Sequence, residues 1–190
     1  MTETCWQRAG AGIQALVNER THDDGGTTES FSALLPDEVE RLAALVLEQA
    51  KDRGWSIATA ESCTGGMLAS VLTDVKGSSG VFERGFVTYS DEAKCELLGL
   101  QLRDIERCGA VSREVAIAMA EGALAHSHAD IALATTGFAD EGDVPGLVHF
   151  ACAVTDRPTR HQEERFGPIG RGPVRVESIR VALTMMDEAL

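Results

Sequence analysis

The chain has 190 residues, 44% of them hydrophobic, and carries 30 acidic against 17 basic side chains, a formal net charge of −13. That length and apolar content suit one packed core plus a tail. So acidic a chain is repelled by nucleic-acid phosphates and anionic lipid surfaces unless its Arg and Lys cluster, and they do not, so neither nucleic acid nor membrane is an expected partner.

No apolar run approaches the roughly 20 residues that span a bilayer. The first residues lack the basic start and apolar centre of a secretory signal, so a cytoplasmic location is expected. The five cysteines (Cys5, Cys63, Cys95, Cys108, Cys152) are odd in number, and no two have metal or redox spacing. They read as reduced thiols, with Cys63, Cys95 and Cys152 in or near the core. His126 and His128 stand two apart at a helix end and point to different faces, so no metal site is expected.

Residues 1–35 read as an N-terminal extension, mobile or loosely docked, with a short helix over Ala9–Val17 and a polar, Gly-rich linker over Thr21–Ser32. The patterned domain covers 36–190. Val39, Leu42, Ala43, Val46, Leu47 and Ala50 recur at helical spacing until Gly54. Trp55–Ala60 is a short apolar strand running into Glu61-Ser62-Cys63-Thr64-Gly65-Gly66, then a helix from about Gly66 to Leu72. Gly77–Gly80 is a turn and Val81–Tyr89 a second strand. Ser90, Asp91 and Glu92 open the next helix as a cap with first-turn acids. Ser112 starts what reads as the longest helix, with an apolar stripe of Val115, Ala116, Met119, Ala120 and Ala123.

Ile131–Thr136 is nearly uninterrupted apolar, as a strand covered on both faces should be. Gly146–Val154 and Thr159–Phe166 form a hairpin, and a last helix starts near Pro173. Strands alternating with helices predict an α/β fold, a three-layer α/β/α sandwich with a mostly parallel, mixed sheet of about five strands.

The strand–turn–helix at Ala60–Gly66 is the most informative stretch. A polar turn at the carboxyl end of a strand exposes backbone N–H groups and the positive end of a helix. Gly65 and Gly66 let a ligand approach the backbone. Such a turn can hold a phosphate or carboxylate, or form an oxyanion hole beside a nucleophile. The plainer alternative is that Ser62 or Thr64 is only a helix N-cap.

The blocks ESCTGG, GSS, TYSDEAK and GAVS, in this order across most of 36–190, resemble the CinA C-terminal (nicotinamide-nucleotide amidase) family. The resemblance implies hydrolysis of the carboxamide of nicotinamide mononucleotide to nicotinate mononucleotide and ammonia, a small-molecule nucleotide substrate, and neither metal nor cofactor. It leaves a homo-oligomer open. It implies that Ser62 is the nucleophile, with Tyr89 and Lys94 supporting it. Substrate contacts are expected from Thr64, Gly65, Gly66, Thr136, Gly137 and Arg171.

The residue types fit that chemistry. A serine hydroxyl is a weak nucleophile and needs a base within reach, directly or through one water. A buried lysine with a depressed pKa can be that base. A tyrosine hydroxyl can relay the proton or hold the oxyanion. The plainer reading of Lys94 is a solvated lysine pairing with Asp91 or Glu96.

Two stretches depart from the family pattern. After Gly137 the family continues with a longer, Gly-rich loop, whereas this chain reads Phe138-Ala139-Asp140-Glu141-Gly142-Asp143-Val144-Pro145. A carboxylate near a substrate phosphate opposes binding by roughly 4 kcal/mol at 4 Å for a surface-like dielectric. Near the C-terminus an Asp of the family pattern is missing, while Arg171 and Arg175 remain. The alternative function is therefore a catalytically silent or substrate-shifted paralogue that binds a ligand or a partner.

Overall fold

The computed structural model describes residues 35–190, so the expectations for the N-terminal extension lie outside the described residues. Helix α1 (Asp37–Arg53) has three acids in its first turn, Lys51 and Arg53 in its last, and Gly54 at φ 68°, whose amide closes onto the Ala50 and Lys51 carbonyls. Strand β1 (Ile57–Glu61) follows, then α2 (Met67–Asp74), a 3₁₀ turn (Ser78–Gly80) and β2 (Phe82–Val87). Helices α3 (Asp91–Leu98), α4 (Leu102–Cys108) and α5 (Arg113–Ala125) lead to β3 (Ile131–Gly137). The hairpin β4 (Leu147–Val154) and β5 (Arg160–Arg165) and a final helix α6 (Arg171–Asp187) complete the chain.

The sheet order is β2-β1-β3-β4-β5. Strand β1 pairs parallel with both β2 and β3, whereas β4 runs antiparallel between β3 and β5. Four strands thus share one direction, and the fold is the expected mixed α/β/α sandwich. Two element expectations need correction. Helix α4 was not anticipated, and α5, with 13 residues, is shorter than α1 and α6, with 17 each.

The two faces of the sheet are packed differently. Ile57, Ile131, Leu133, Val148, Phe150 and Cys152 meet α1, α2 and α6 in one apolar cluster. The opposite face presents Ala58, Ala60, Ala132, Ala134, Ala151 and Ala153 to the layer that holds α5. Small side chains there let α5 lie close to the strands, with Ala116, Ala120 and Ala123 fully buried. Gly122 continues this economy of space, since a Cβ there would stand 2.3 Å from the Leu98 carbonyl oxygen.

The strand order also locates a crevice. The chain leaves β1 through α2 to β2 on one side, while β3 flanks β1 on the other. At such a reversal the carboxyl ends of β1 and β3 open a gap in which ligands bind in open α/β sheets.

Candidate active site

The turn after β1 is held by a buried carboxylate. Glu61 is 0% exposed, and its side chain accepts hydrogen bonds from the amides of Gly66 at 3.0 Å, Leu68 at 3.0 Å and Ala69 at 2.8 Å. Glu61 therefore occupies the N-terminal end of α2 as an internal anion. The expected opening of this helix end to a ligand is corrected accordingly. The Gly66 amide belongs to Glu61, and the Gly65 amide donates to the Ser62 carbonyl at 3.1 Å. The glycines are required by the backbone instead, with Gly65 at φ 60° and Gly66 at φ 90°.

Arg175, reaching from α6, clamps the same turn by donating from Nε and Nη2 to the Thr64 carbonyl. Thr64 is buried and shares a 2.8 Å hydroxyl–hydroxyl hydrogen bond with Thr135. Neither Glu61 nor Arg175 stood out in the sequence as a brace. The signal available was Glu61 itself, an acid ending a fully buried strand six residues before the first residue of a helix.

Ser62 is held where both ladders of β1 run on. Its amide donates to the Thr135 carbonyl at 3.0 Å, and the Thr88 amide donates to the Glu61 carbonyl at 2.8 Å. Strand alternation then places Ser62 on the face of Ala58 and Ala60, Thr136 on that of Ala132 and Ala134, and Thr88 on that of Phe86. All three stand on the α5 side of the sheet. No backbone carbonyl among the described residues accepts from the amides of Cys63 and Thr64.

A cleft of about 210 Å³ opens at this edge. Ser62, Cys63, Tyr89, Gly137, Glu141 and Arg171 line it. Tyr89 is 66% exposed, and Arg171 is exposed at the start of α6. Among the expected substrate contacts, Gly137 and Arg171 reach the cleft, whereas Thr136 turns to the Ala110 carbonyl at 2.7 Å and Thr64 to Thr135. Gly137 must be glycine, because a Cβ there would lie 2.7 Å from the Leu147 carbonyl oxygen. Of the three acids in the shortened loop, Glu141 faces the cleft and Asp140 and Asp143 are exposed outside its lining.

Lys94, on α3, is 2% exposed and, with Phe150, among the largest side chains so fully buried in the described residues. Its Nζ donates to the Ser90 carbonyl at 3.4 Å and to Asp91 Oδ1 at 3.3 Å, and no direct hydrogen bond joins it to Ser62. The solvated pairing considered from sequence is thus half right, with Asp91 as the partner but the amine out of water. Ser90 caps α3 by accepting from the Ala93 amide at 3.1 Å, which fixes where Lys94 emerges. Cys63 also lines the cleft, but burial pushes its thiol up to about 12, so it stays protonated at neutral pH. Among the described residues no group of three His, Cys, Asp or Glu side chains converges on a metal position.

The fold and the cleft define an α/β domain that presents a serine on a braced strand-to-helix turn. The chain belongs to the CinA C-terminal domain family, whose model matches residues 39–190. A nicotinamide-nucleotide amidohydrolase, PncC, of Escherichia coli is 46% identical over 121 residues, covering 61% of this chain and 73% of that protein. A CinA-like protein of Syntrophobacter fumaroxidans is 41% identical over 152 residues, covering 77% of this chain but 35% of that protein. The chain therefore spans about a third of the length of that longer relative. Among solved structures, the competence/damage inducible protein CihA of Agrobacterium tumefaciens superposes with a TM-score of 0.79 at 42% identity, covering 81% of this chain and 96% of that one.

Proposed function

We propose that this domain hydrolyses the carboxamide of nicotinamide mononucleotide, giving nicotinate mononucleotide and ammonia. The observation that carries the reading is the placement of Ser62 in the cleft on a turn fixed from both sides by Glu61 and Arg175. The 46% identity to an amidohydrolase of this substrate class supports it.

Ser62 Oγ attacks the carboxamide carbon while its proton passes toward Lys94. The amides of Cys63 and Thr64 stand beside Ser62 and can hold the oxyanion, with the Tyr89 hydroxyl at the rim of the cleft. Collapse expels ammonia, which takes the proton back, and leaves an ester on Ser62. Water then attacks that ester, releasing the carboxylate and restoring the serine. Among the described residues of the cleft lining, Arg171 is the cationic side chain offered to a substrate phosphate.

The test is incubation of the purified protein with nicotinamide mononucleotide, following ammonia and nicotinate mononucleotide. Stoichiometric release of both, abolished in Ser62→Ala, is the expected result. A second reading, a substrate-shifted or silent paralogue, draws on Glu141 in the cleft, which opposes a bound phosphate. Absence of turnover in the intact chain, with turnover appearing in Glu141→Gly, would decide for it.

A further inference from the structure

Among the described residues, one buried side-chain polar atom has no hydrogen-bond partner, the hydroxyl of Thr88. Thr88 is 0% exposed. A buried unpartnered hydroxyl is destabilising, so its retention asks for a use.

Its surroundings indicate one. The Thr88 amide is bonded to the Glu61 carbonyl, one residue before Ser62. The Ser90 carbonyl, two residues on, is already touched by Lys94 Nζ. Thr88 therefore lies beside the serine, just past the end of the neighbouring strand, on the same side of the sheet as Ser62, and two residues before the carbonyl that Lys94 touches. The serine–lysine reading needs an acceptor at Lys94 Nζ, and its two hydrogen bonds, to the Ser90 carbonyl and Asp91 Oδ1, leave a third position of that nitrogen open.

Resting on the serine–lysine reading above, we infer that Thr88 is the proton relay between Ser62 and Lys94. As Ser62 attacks, its hydroxyl proton moves to Thr88 Oγ1 while the Thr88 proton moves to the Lys94 Nζ lone pair. One O–H bond breaks and one forms at Thr88, and the hydroxyl ends as it began. The relay explains how a lysine that makes no bond to Ser62 can serve it. The two relay bonds close in the substrate complex, as catalytic hydrogen bonds commonly do.

The test compares wild type, Thr88→Val and Thr88→Ser in the full chain. Three quantities are measured: labelling of Ser62 by a fluorophosphonate, read by intact mass; ammonia release from nicotinamide mononucleotide; and thermal unfolding. Thr88→Val keeps the shape and removes only an unpartnered hydroxyl, so its unfolding temperature should be equal or higher. Its labelling and turnover should fall by about a hundredfold or more, the lower end of what positioned proton transfer contributes. Thr88→Ser should restore most of both. Labelling of Thr88→Val at the wild-type rate overturns the relay, and so does a Ser variant as slow as the Val variant. If the Val variant does not fold, Thr88→Ala takes its place against Thr88→Ser with the same two outcomes. A wild type labelled at Ser62 but inactive on the nucleotide removes the substrate assignment and leaves the relay judged by labelling. A wild type that is not labelled overturns both.

Discussion

Glu61 illustrates how a residue can sit beside the proposed nucleophile and do a structural task. Its carboxylate satisfies three amides at the start of α2 from a position shut off from water. Removing it leaves buried donors without partners, each at about 1–3 kcal/mol. Glu61→Ala should therefore lower stability by about 3 kcal/mol in a urea titration, and an unchanged midpoint would remove the brace from the account. Ser62→Ala, by contrast, removes at most a turn hydroxyl, so it should abolish turnover with the urea midpoint nearly unchanged. Cys63→Ser should retain turnover, because the thiol it replaces is held near a pKa of about 12 and is no nucleophile at neutral pH. Activity lost in Cys63→Ser but kept in Ser62→Ala would reassign the nucleophile. From sequence, the neighbours Glu61, Ser62 and Thr64 are alike as polar residues of one turn. Which faces the cleft and which faces the helix end depends on the continuation of two ladders, and that is tertiary information.

At the scale of elements, the alternation of strands and helices was legible because buried parallel strands are continuous apolar runs and the helices carry apolar stripes. The hairpin was legible from Thr155–Pro158, even though β5 is charged along its length, because the turn chemistry and spacing carried it. Helix α4 was not, since its seven residues bury only Ile105 and leave no stripe to detect. Helix α5 ends where expected, at His126, whose Nδ1 lies 2.9 Å from the Gly122 carbonyl, and is not the longest because α1 and α6 each reach 17 residues. Two predictions belong to elements. Gly122→Ala would gain about 1 kcal/mol of helix propensity, yet its Cβ meets backbone oxygen at 2.3 Å, an obstacle that cannot rotate away. The clash should win, with a net loss of about 1–2 kcal/mol measured as a lower melting temperature. Of the three acids in the loop after β3, Glu141 alone is in the cleft lining, so Glu141→Gly should tighten nucleotide binding while Asp140→Gly should not. Rising salt should narrow the difference, as screening weakens repulsion, and equal affinities for the two variants would show that the loop's acids do not act on the bound nucleotide.

Across the whole molecule, the sheet ends in a pair of imidazoles whose protonation the fold resists. His149 Nδ1 and His161 Nε2 lie 3.1 Å apart, with ring centroids separated by 5.3 Å. Burial lowers the pKa of both, and the His149 charge lowers that of His161 further. Glu163 and Glu114 work against the shift, while Arg165 beside His149 and Arg113 beside His161 reinforce it. Because the folded values lie below the unfolded value near 6.5, stability is full above that pH and is lost as pH falls through the folded values. Urea midpoints taken between pH 7.5 and pH 5 should fall, and less so in His161→Gln. An identical slope in that variant would place the acid sensitivity elsewhere.

The unequal faces of the sheet give the protein two opposite ways to fail. Beneath α1, α2 and α6, side chains such as Phe150, Leu133 and Leu183 are fully buried, and truncating any of them leaves a void. Over α5 the central strands present Ala58, Ala60, Ala132, Ala134, Ala151 and Ala153, where little remains to be cut away and a larger residue collides. Damage on the first side is thus repairable by a small apolar molecule that enters the vacated space, as dry engineered cavities accept benzene. Damage on the second has no such remedy and yields only to a compensating loss of bulk on the facing helix.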